Sequence, residues 1–193
     1  DGTDWTMTWI GDGVNTLWDA ADPRYAYLSH GYAALERNTT MDTDPTNWTC
    51  VRNWGSCNTC SLGCAPDGRT HPYGPLVLDA VNPNTMYAGS YRVWRNTAGR
   101  TTTTWGAISG DLTGGGWLAF IHPAYDNGVA GTIYTGSSDG RVFVTTNDGG
   151  NWTDRSAGLP NAWIESITTD PADASKVLVT FNGFGNGHVF RSV

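Results

Sequence analysis

The sequence predicts an all-β fold made of repeated units, and three observations support this prediction. The chain of 193 residues is rich in glycine (25) and tryptophan (10), while only 15% of its residues are charged. Lysine occurs once and glutamate twice, whereas arginine occurs ten times and aspartate sixteen times, so charged residues that favour helices are scarce. Short apolar runs alternate with turns rich in Asp, Asn, Gly and Pro, which is typical of strands joined by tight connections.

Four segments share one pattern, in which short apolar runs are separated first by an x-Pro turn and then by a polar or glycine turn. The four segments are 6–49, 75–106, 117–153 and 163–193. A period near 40–50 residues with four strands per unit is typical of β-propeller blades. One antiparallel blade cannot bury its own face, so neighbouring blades must stack around an axis. The sequence therefore predicts that 1–193 is one propeller domain or part of a larger propeller.

Within each unit, the x-Pro turn comes before two central strands. The turns are Asp22-Pro23, Asn82-Pro83, His122-Pro123 and Asp170-Pro171. The central strands are predicted at 25–29 and 34–39, 86–90 and 93–97, 132–137 and 141–144, and 177–181 and 188–192.

The two ends of the chain carry the two halves of one local motif. The complete copy is Thr146-Asn147-Asp148-Gly149-Gly150-Asn151-Trp152. The chain ends Ser192-Val193 and begins Asp1-Gly2-Thr3-Asp4-Trp5, which gives a hydroxyl, an Asp-Gly pair and a Trp at the same spacing when read from end to start. We therefore expect either that residues 1–5 complete the fourth blade and close a ring, or that the segment belongs to a longer array.

The motif at 146–152 resembles the Asp-box, or BNR repeat, of pattern Ser/Thr-x-Asp-x-Gly-x-Thr-Trp, although it is one residue short before its Trp. The chain is similar to extracellular BNR/YVTN-like β-propellers, which include sialidases, xyloglucanase-type glycosidases and sortilin-like receptors. We expect Asp148 to accept hydrogen bonds from backbone N–H groups of its own turn, and Trp152 to bury its ring under the hairpin. The resemblance implies a structural role, at the blade periphery, for Thr146, Asp148, Gly150, Trp152, Ser192, Asp1 and Trp5.

The cysteines Cys50, Cys57, Cys60 and Cys64 all fall at the start of one long segment, 50–74, predicted to be an inserted loop. An even number of cysteines in one loop favours disulfides and an extracellular location, secreted or at the cell surface. Cys57 and Cys60 have the spacing of half a zinc site, but the other two cysteines do not form a second pair. Disulfides are therefore preferred to a metal site, with the connectivity left open.

Composition also excludes several classes of partner. The net charge is −7 and no Lys/Arg run is present, which argues against nucleic acid and anionic membranes. No apolar run approaches the ~20 residues that cross a bilayer, so no membrane insertion is expected. No motif indicates a cofactor.

The connections between blades and the turns between second and third strands line one end of a propeller, and ligands are expected there. Sugars stack on aromatic rings and hydrogen-bond to Asp, Asn and Arg side chains, although the same aromatic residues also suit a core. The long loop either helps to bind a ligand or only protects an irregular segment from proteolysis. The predicted ligand-binding residues are Trp54, His71, Tyr73, Tyr91, Arg92, Asp139 and Arg141.

Three functions stay open on the sequence. The favoured one is a non-catalytic binding or scaffold module whose ligand is a glycan or another protein. A glycoside hydrolase of the BNR-propeller type needs paired carboxylates, but no motif selects a pair, and neither Glu36 nor Glu165 lies near a tyrosine suited to a sialidase. The third is a structural subunit that self-associates head to tail, because incomplete terminal blades leave strand edges unpaired.

Overall fold

The chain forms four antiparallel sheets, which confirms the predicted all-β propeller fold. The computed structural model describes residues 5–10, 13–30, 34–52, 69–125, 127–185 and 187–192. In these ranges there are fifteen strands, and there is no helix that is long and apolar enough to cross a membrane.

Each sheet is one blade, in which strands pair in chain order. Blades 1 and 2 have four strands each: β1 (Asn15–Trp18), β2 (Ala26–His30), β3 (Ala34–Asn38) and β4 (Trp48–Arg52), then β5 (Leu76–Leu78), β6 (Met86–Gly89), β7 (Val93–Asn96) and β8 (Gly106–Ala107). Blade 1 was predicted to end at residue 49, but its fourth strand continues to Arg52.

Blade 3 also has four strands, whereas blade 4 has three in the described part of the chain. These strands are β9 (Leu118–Pro123), β10 (Ile133–Ser137), β11 (Val142–Thr145) and β12 (Thr153–Asp154), then β13 (Ile164–Asp170), β14 (Asp173–Phe181) and β15 (Val189–Arg191). The first strands β1, β5, β9 and β13 contact one another in turn, so we call them the inner strands.

Three apolar clusters hold neighbouring blades together. The cluster between blades 1 and 2 includes Tyr27, Leu35, Met86, Trp94 and Trp105. The cluster between blades 2 and 3 includes Tyr87, Val93, Leu112, Leu118, Ile121 and Ile133. The cluster between blades 3 and 4 includes Tyr134, Val142, Val144, Ile164, Ile167, Val177, Val179 and Phe181. Among the described residues, no such cluster joins blade 4 to blade 1.

Buried aspartates fix the x-Pro turns of the first two blades. One carboxylate oxygen of Asp19 and one of Asp79 each accept the backbone N–H groups two and three residues ahead, at 2.9–3.1 Å. Asp19 also accepts two hydrogen bonds from the Arg100 guanidinium of blade 2, at 2.7 and 2.8 Å. Burial opposes ionisation of Asp19, but these hydrogen bonds outweigh it and lower the pKa of the carboxyl.

The third strand of each of the first three blades ends in a buried polar residue that stabilises the following turn. Asn38 and Asn96 each accept the backbone N–H two residues ahead, at 2.7 and 2.9 Å. In blade 3, the hydroxyl of Thr145 accepts the N–H of Gly149 at 3.0 Å. These three repeats thus share a side-chain-to-backbone hydrogen bond that satisfies a backbone donor in the turn after the third strand.

In the motif at 146–152, the role expected of Asp148 belongs to its neighbour. Asp148 has a φ of 60°, and its carboxylate pairs with Arg95 of blade 2 at 2.5 Å. Asn147 instead accepts the N–H of Asn151 at 2.9 Å, within the turn. The turn register is therefore one residue earlier than we read from the sequence. Trp152 packs against the cluster between blades 2 and 3.

The proposed completion of blade 4 by the start of the chain stays a prediction. Residues 1–4 lie outside the described ranges, and Trp5 is 93% exposed. At the other end, the hydroxyl of Ser192 donates to the carbonyl of Ser175 and accepts the N–H of Val177, both at 2.8 Å.

Candidate functional site

Aromatic residues that come before three inner strands converge at one end of the propeller. Trp117 directly precedes β9 of blade 3, and Trp163 directly precedes β13 of blade 4. His71 and Tyr73 lie shortly before β5 of blade 2. We call these four residues the aromatic cluster.

The geometry of the aromatic cluster centres on His71. Its ring stacks on Trp117, with centroids 5.0 Å apart and planes inclined by 25°. Trp163 meets the same imidazole edge-on at 5.1 Å, and Tyr73 lies 5.3 Å away at a tilt. Both tryptophans keep part of their surface in solvent, and Tyr73 is 65% exposed. The cluster therefore offers aromatic surface to a ligand from three separate blades.

The imidazole of His71 is held neutral in one tautomer. Its Nδ1 accepts the backbone N–H of Tyr73 at 3.1 Å, which leaves the proton on Nε2. Burial lowers the pKa of His71, so the ring is uncharged at neutral pH. The cluster is then a neutral aromatic surface that carries the Nε2–H donor of His71 beside the indole N–H groups of its two tryptophans.

A second group of planar side chains belongs to the same loop end. The guanidinium carbon of Arg69 lies 4.3 Å from the ring centroid of Tyr91, and that of Arg92 lies 4.5 Å from it. Arg69 also forms an ion pair with Asp111 and donates to the carbonyl oxygen of Gly116 at 3.3 Å. Because Arg69 contacts blade 2 and the loop before blade 3, it ties the chain before β5 to that loop.

The carboxyl group of Asp111 is ionised despite its partial burial. Burial alone raises the pKa of this carboxyl, but the hydrogen bonds from Arg69 and Thr113 outweigh burial and lower it. The charge on Asp111 is therefore balanced by the charge on Arg69.

Asp139 positions the loop that carries Trp117. One of its carboxylate oxygens accepts the N–H groups of Gly114 and Gly116, at 2.7 and 3.1 Å. The adjacent hydroxyl of Ser138 accepts the N–H of Trp117 at 3.2 Å. A Cβ atom at Gly116 would lie 2.4 Å from that hydroxyl oxygen, so the approach requires glycine. The turn between β10 and β11 thus holds Trp117 in place.

Next to this turn is an open cleft of about 360 Å³. Its lining includes Gly114, Asp139, Arg141, Pro160 and Asn161. Arg141 lies 3.7 Å from Asp154, and both side chains are about half exposed. The cleft is polar and offers hydrogen-bonding groups rather than an apolar floor.

The ligand-binding residues predicted from sequence fall into three groups. His71 and Tyr73 belong to the aromatic cluster, and Tyr91 and Arg92 belong to the neighbouring planar group. Trp54 lies outside the described residues. The remaining two, Asp139 and Arg141, line the polar cleft, where Asp139 also positions a loop.

Sequence reasoning missed Trp117 and Trp163, together with Arg69 and Asp111. The sequence did contain a signal that could have located the two tryptophans, because each one directly precedes the first apolar residue of an inner strand. Neither tryptophan was among the residues predicted to bind a ligand, although this position is where the chain passes from the loop end into an inner strand.

Cys50 is disulfide-bonded, and the other three cysteines lie outside the described residues, so their pairing stays a prediction. Within the described ranges, no group of three or more His, Cys, Asp or Glu side chains is placed to hold a metal ion.

One buried carboxyl group lies in blade 1. Burial raises the pKa of Glu36, while the nearby His30 acts in the opposite direction. The Oε1 atom of Glu36 is 3.4 Å from Nε2 of His30, and Trp9 stacks on that imidazole at 5.6 Å. The side chain of Glu36 is only 7% exposed, so this conformation does not present it to a ligand.

The fold is similar to those of several solved β-propellers. The GH74 enzyme of Niastella koreensis matches with a TM-score of 0.63 and 18% identity, over 92% of this chain and 30% of that one. The GH74 xyloglucanase of Xanthomonas campestris matches with a TM-score of 0.55 and 18% identity, over 88% of this chain and 26% of that one. YCF48 bound to D1 peptide matches with a TM-score of 0.54 and 12% identity, over 94% of this chain and 55% of that one.

No protein-family model matches this chain, and no curated protein matches it in sequence. The chain spans less than a third of the two GH74 enzymes. At these identities the likeness shows the fold alone, and the chain is a β-propeller module of about four blades.

Proposed function

We propose that this chain is a carbohydrate-binding propeller module, non-catalytic on its own, whose ligand lies on the aromatic cluster. The observation that carries the proposal is the convergence of His71, Tyr73, Trp117 and Trp163 from three blades. Indole and phenol rings offer flat apolar surface with a polar edge, which suits the C–H face of a sugar ring. Binding sites of this kind combine aromatic walls with a few placed polar groups.

The electrostatics of the loop end favour a neutral glycan over an anionic one. Arg69 is paired with Asp111, and Arg141 lies near Asp154, so these guanidinium charges are already balanced. The lowered pKa of His71 leaves no positive charge in the aromatic cluster at neutral pH. We therefore propose a neutral oligosaccharide that stacks on the cluster and hydrogen-bonds to the polar cleft beside it.

The structural neighbours are consistent with this proposal but do not decide it. One is a xyloglucanase and another is bound to a peptide, so glycan and peptide ligands both occur on this fold. The partly exposed tryptophans favour the glycan. The predicted disulfides and the extracellular resemblance support a secreted or cell-surface location, and the turn at 145–152 supports membership among the Asp-box propellers.

The test is calorimetric titration of the whole chain with neutral β-glucan and xyloglucan oligosaccharides. Replacing Trp163 by alanine should weaken binding about tenfold or more, because one aromatic wall is lost. Trp18→Ala is the matched control, since Trp18 is 57% exposed and belongs to blade 1 rather than to the cluster. An equal effect of both variants, or no binding of any neutral glycan, would contradict the proposal.

The same samples test the enzyme alternative. Release of new reducing ends from the oligosaccharides would identify a glycoside hydrolase. Binding without release of reducing ends would leave the chain as a binding module.

A further inference from the structure

Two of the three interfaces between blades contain a tryptophan from near the fourth strand of the later blade. In blade 3, Trp152 donates its Nε1–H to the carbonyl of Ile108 at 2.9 Å and packs on the cluster between blades 2 and 3. In blade 2, Trp105 is buried in the cluster between blades 1 and 2. Both residues come directly before the fourth strand of their own blade.

Among the described residues, the interface between blades 3 and 4 has the same framework without the tryptophan. In blade 3, Phe143 of the third strand pairs with Thr135 of the second strand. In blade 4, Phe190 of the third strand pairs with Val179 of the second strand, so Phe190 occupies the position that Phe143 has in blade 3. The chain after the fourth strand also repeats. The N–H of Ile108 donates to Val93 at 2.9 Å, and the N–H of Arg155 donates to Val142 at 2.8 Å. The carbonyl of Arg155 therefore corresponds to the carbonyl of Ile108, which accepts the hydrogen bond from Trp152 in the preceding interface.

At this interface is a cleft of about 560 Å³ with a largely apolar lining. Its apolar residues include Val142, Val144, Val177, Val179 and Phe190. Arg155 and Arg191 also line the cleft and are exposed, and neither forms an ion pair with another described residue. Beside the cleft, β15 pairs only with β14 in the described part of the chain. The cleft thus combines an apolar floor, a positive rim and an unpaired strand edge.

We propose that this cleft, here called the blade 4 cleft, binds a Trp-bearing extended segment from a second copy of the chain, centred on Trp5. Trp5 is 93% exposed, and the sequence places Asp1 and Asp4 beside it, opposite in charge to Arg155 and Arg191. In its own chain this segment continues to Trp9, which stacks on His30 at 5.6 Å. The segment is thereby anchored on blade 1 and presents Trp5 to a neighbour.

In the proposed complex, the incoming segment adds a fourth strand to blade 4 along β15. The indole of Trp5 fills the blade 4 cleft, and its Nε1–H donates to the carbonyl of Arg155, as Trp152 does to Ile108. The acidic residues beside Trp5 meet the two arginines. Repetition of this contact is head to tail, so the assembly grows with protein concentration unless the ring closes.

The first experiment measures the binding of a fluorescent peptide of residues 1–8 to the whole chain, together with the molar mass of the chain over a range of concentrations. We expect saturable peptide binding and a mass that rises with concentration. A peptide carrying Trp5→Ala should bind about tenfold or more weakly, because burial of the indole is lost. A peptide carrying Met7→Ala is the matched control, since Met7 is also largely exposed.

A charge exchange makes the test independent of the apolar contact. Arg155→Glu should weaken the binding of the wild-type peptide to the chain. The peptide with Asp4→Arg should restore binding to that variant. Arg155 is exposed, so the variant is expected to fold. A chain that stays monomeric and does not bind the peptide would overturn the proposal, as would equal affinity of the Trp5→Ala and wild-type peptides.

Discussion

The two ends of this propeller are built from the same repeat but use it differently. At the end with the x-Pro turns, Asp19 and Asp79 make the same pair of backbone hydrogen bonds in successive blades. At the loop end, the blades contribute different residues, and the contacts run between blades, as between His71 and Trp117. The comparison teaches that the repeated end secures the fold, while the divergent end is free to form a site.

The strongest test of this comparison is Asp19→Ala. The change leaves two backbone N–H groups and Arg100 without their partner, so we expect the free energy of unfolding to fall by about 3 kcal/mol. Urea denaturation measures the loss, and glycan affinity should be unchanged in the folded fraction. Asp22→Ala, which removes a partly buried partner of the exposed Arg24, should have a much smaller effect. Equal losses of unfolding free energy in the two variants would show that the buried Asp19 does not stabilise the fold more than the ion pair of Asp22 does.

Gly116→Ala should have the opposite pattern of effects, because it should lower ligand affinity more than it lowers the stability of the fold. The new methyl group would meet the hydroxyl of Ser138 at 2.4 Å and displace the loop that carries Trp117. We expect glycan affinity to fall about tenfold, with a stability loss of about 1 kcal/mol. Gly110→Ala is the control, because a Cβ there meets nothing within 4 Å. Retained affinity in Gly116→Ala would show that the position of Trp117 does not matter for binding.

The pH dependence of stability sharpens the comparison further. Burial lowers the pKa of His71 and His122 in the folded state, so below about pH 6.5 the unfolded chain binds more protons than the folded chain. Stability contributed by these groups is present above that pH and is lost as the pH falls towards the folded-state pKa values. Glu36, whose pKa is raised, acts in the opposite sense.

The measurement compares the unfolding free energy at pH 7 and pH 5 in wild type, His71→Gln and His122→Gln. Each substitution should reduce the drop between the two pH values, and His71→Gln should also reduce the pH dependence of glycan binding. A pH dependence identical to wild type in both variants would assign the effect to other groups.

The smallest effect is expected at the ion pair between Asp148 and Arg95. The side chain of Asp148 is 55% exposed, so Asp148→Asn should lower stability by about 0.5 kcal/mol at low salt. The difference should shrink at about 0.5 M salt, because the pair is screened. A loss that does not depend on salt would point to the turn itself rather than to the ion pair.

Composition and repeat period were enough to predict the fold, because strand and turn preferences recur in every unit. The register of the turn at 145–152 was misread by one residue, since Asn147 and Asp148 have side chains of similar shape and the sequence does not show which one accepts within the turn. Counted from Thr145, the spacing to Trp152 matches the full Asp-box pattern, with Asn147 at its aspartate position.

The candidate site was predicted less completely than the fold. His71 and Tyr73 were found because they lie in a long loop, whereas Trp117 and Trp163 adjoin apolar strands and look like core residues in the sequence. Their convergence depends on how three blades meet, and no local pattern encodes that arrangement.

The in-order pairing of strands within each blade has an evolutionary consequence. Because each apolar cluster in the described part of the chain involves only two successive blades, duplication or deletion of one whole blade changes the number of interfaces by one and preserves the type of packing within the others. Blade number can therefore change between related chains without a redesigned core, while the loop end acquires a new set of neighbours each time.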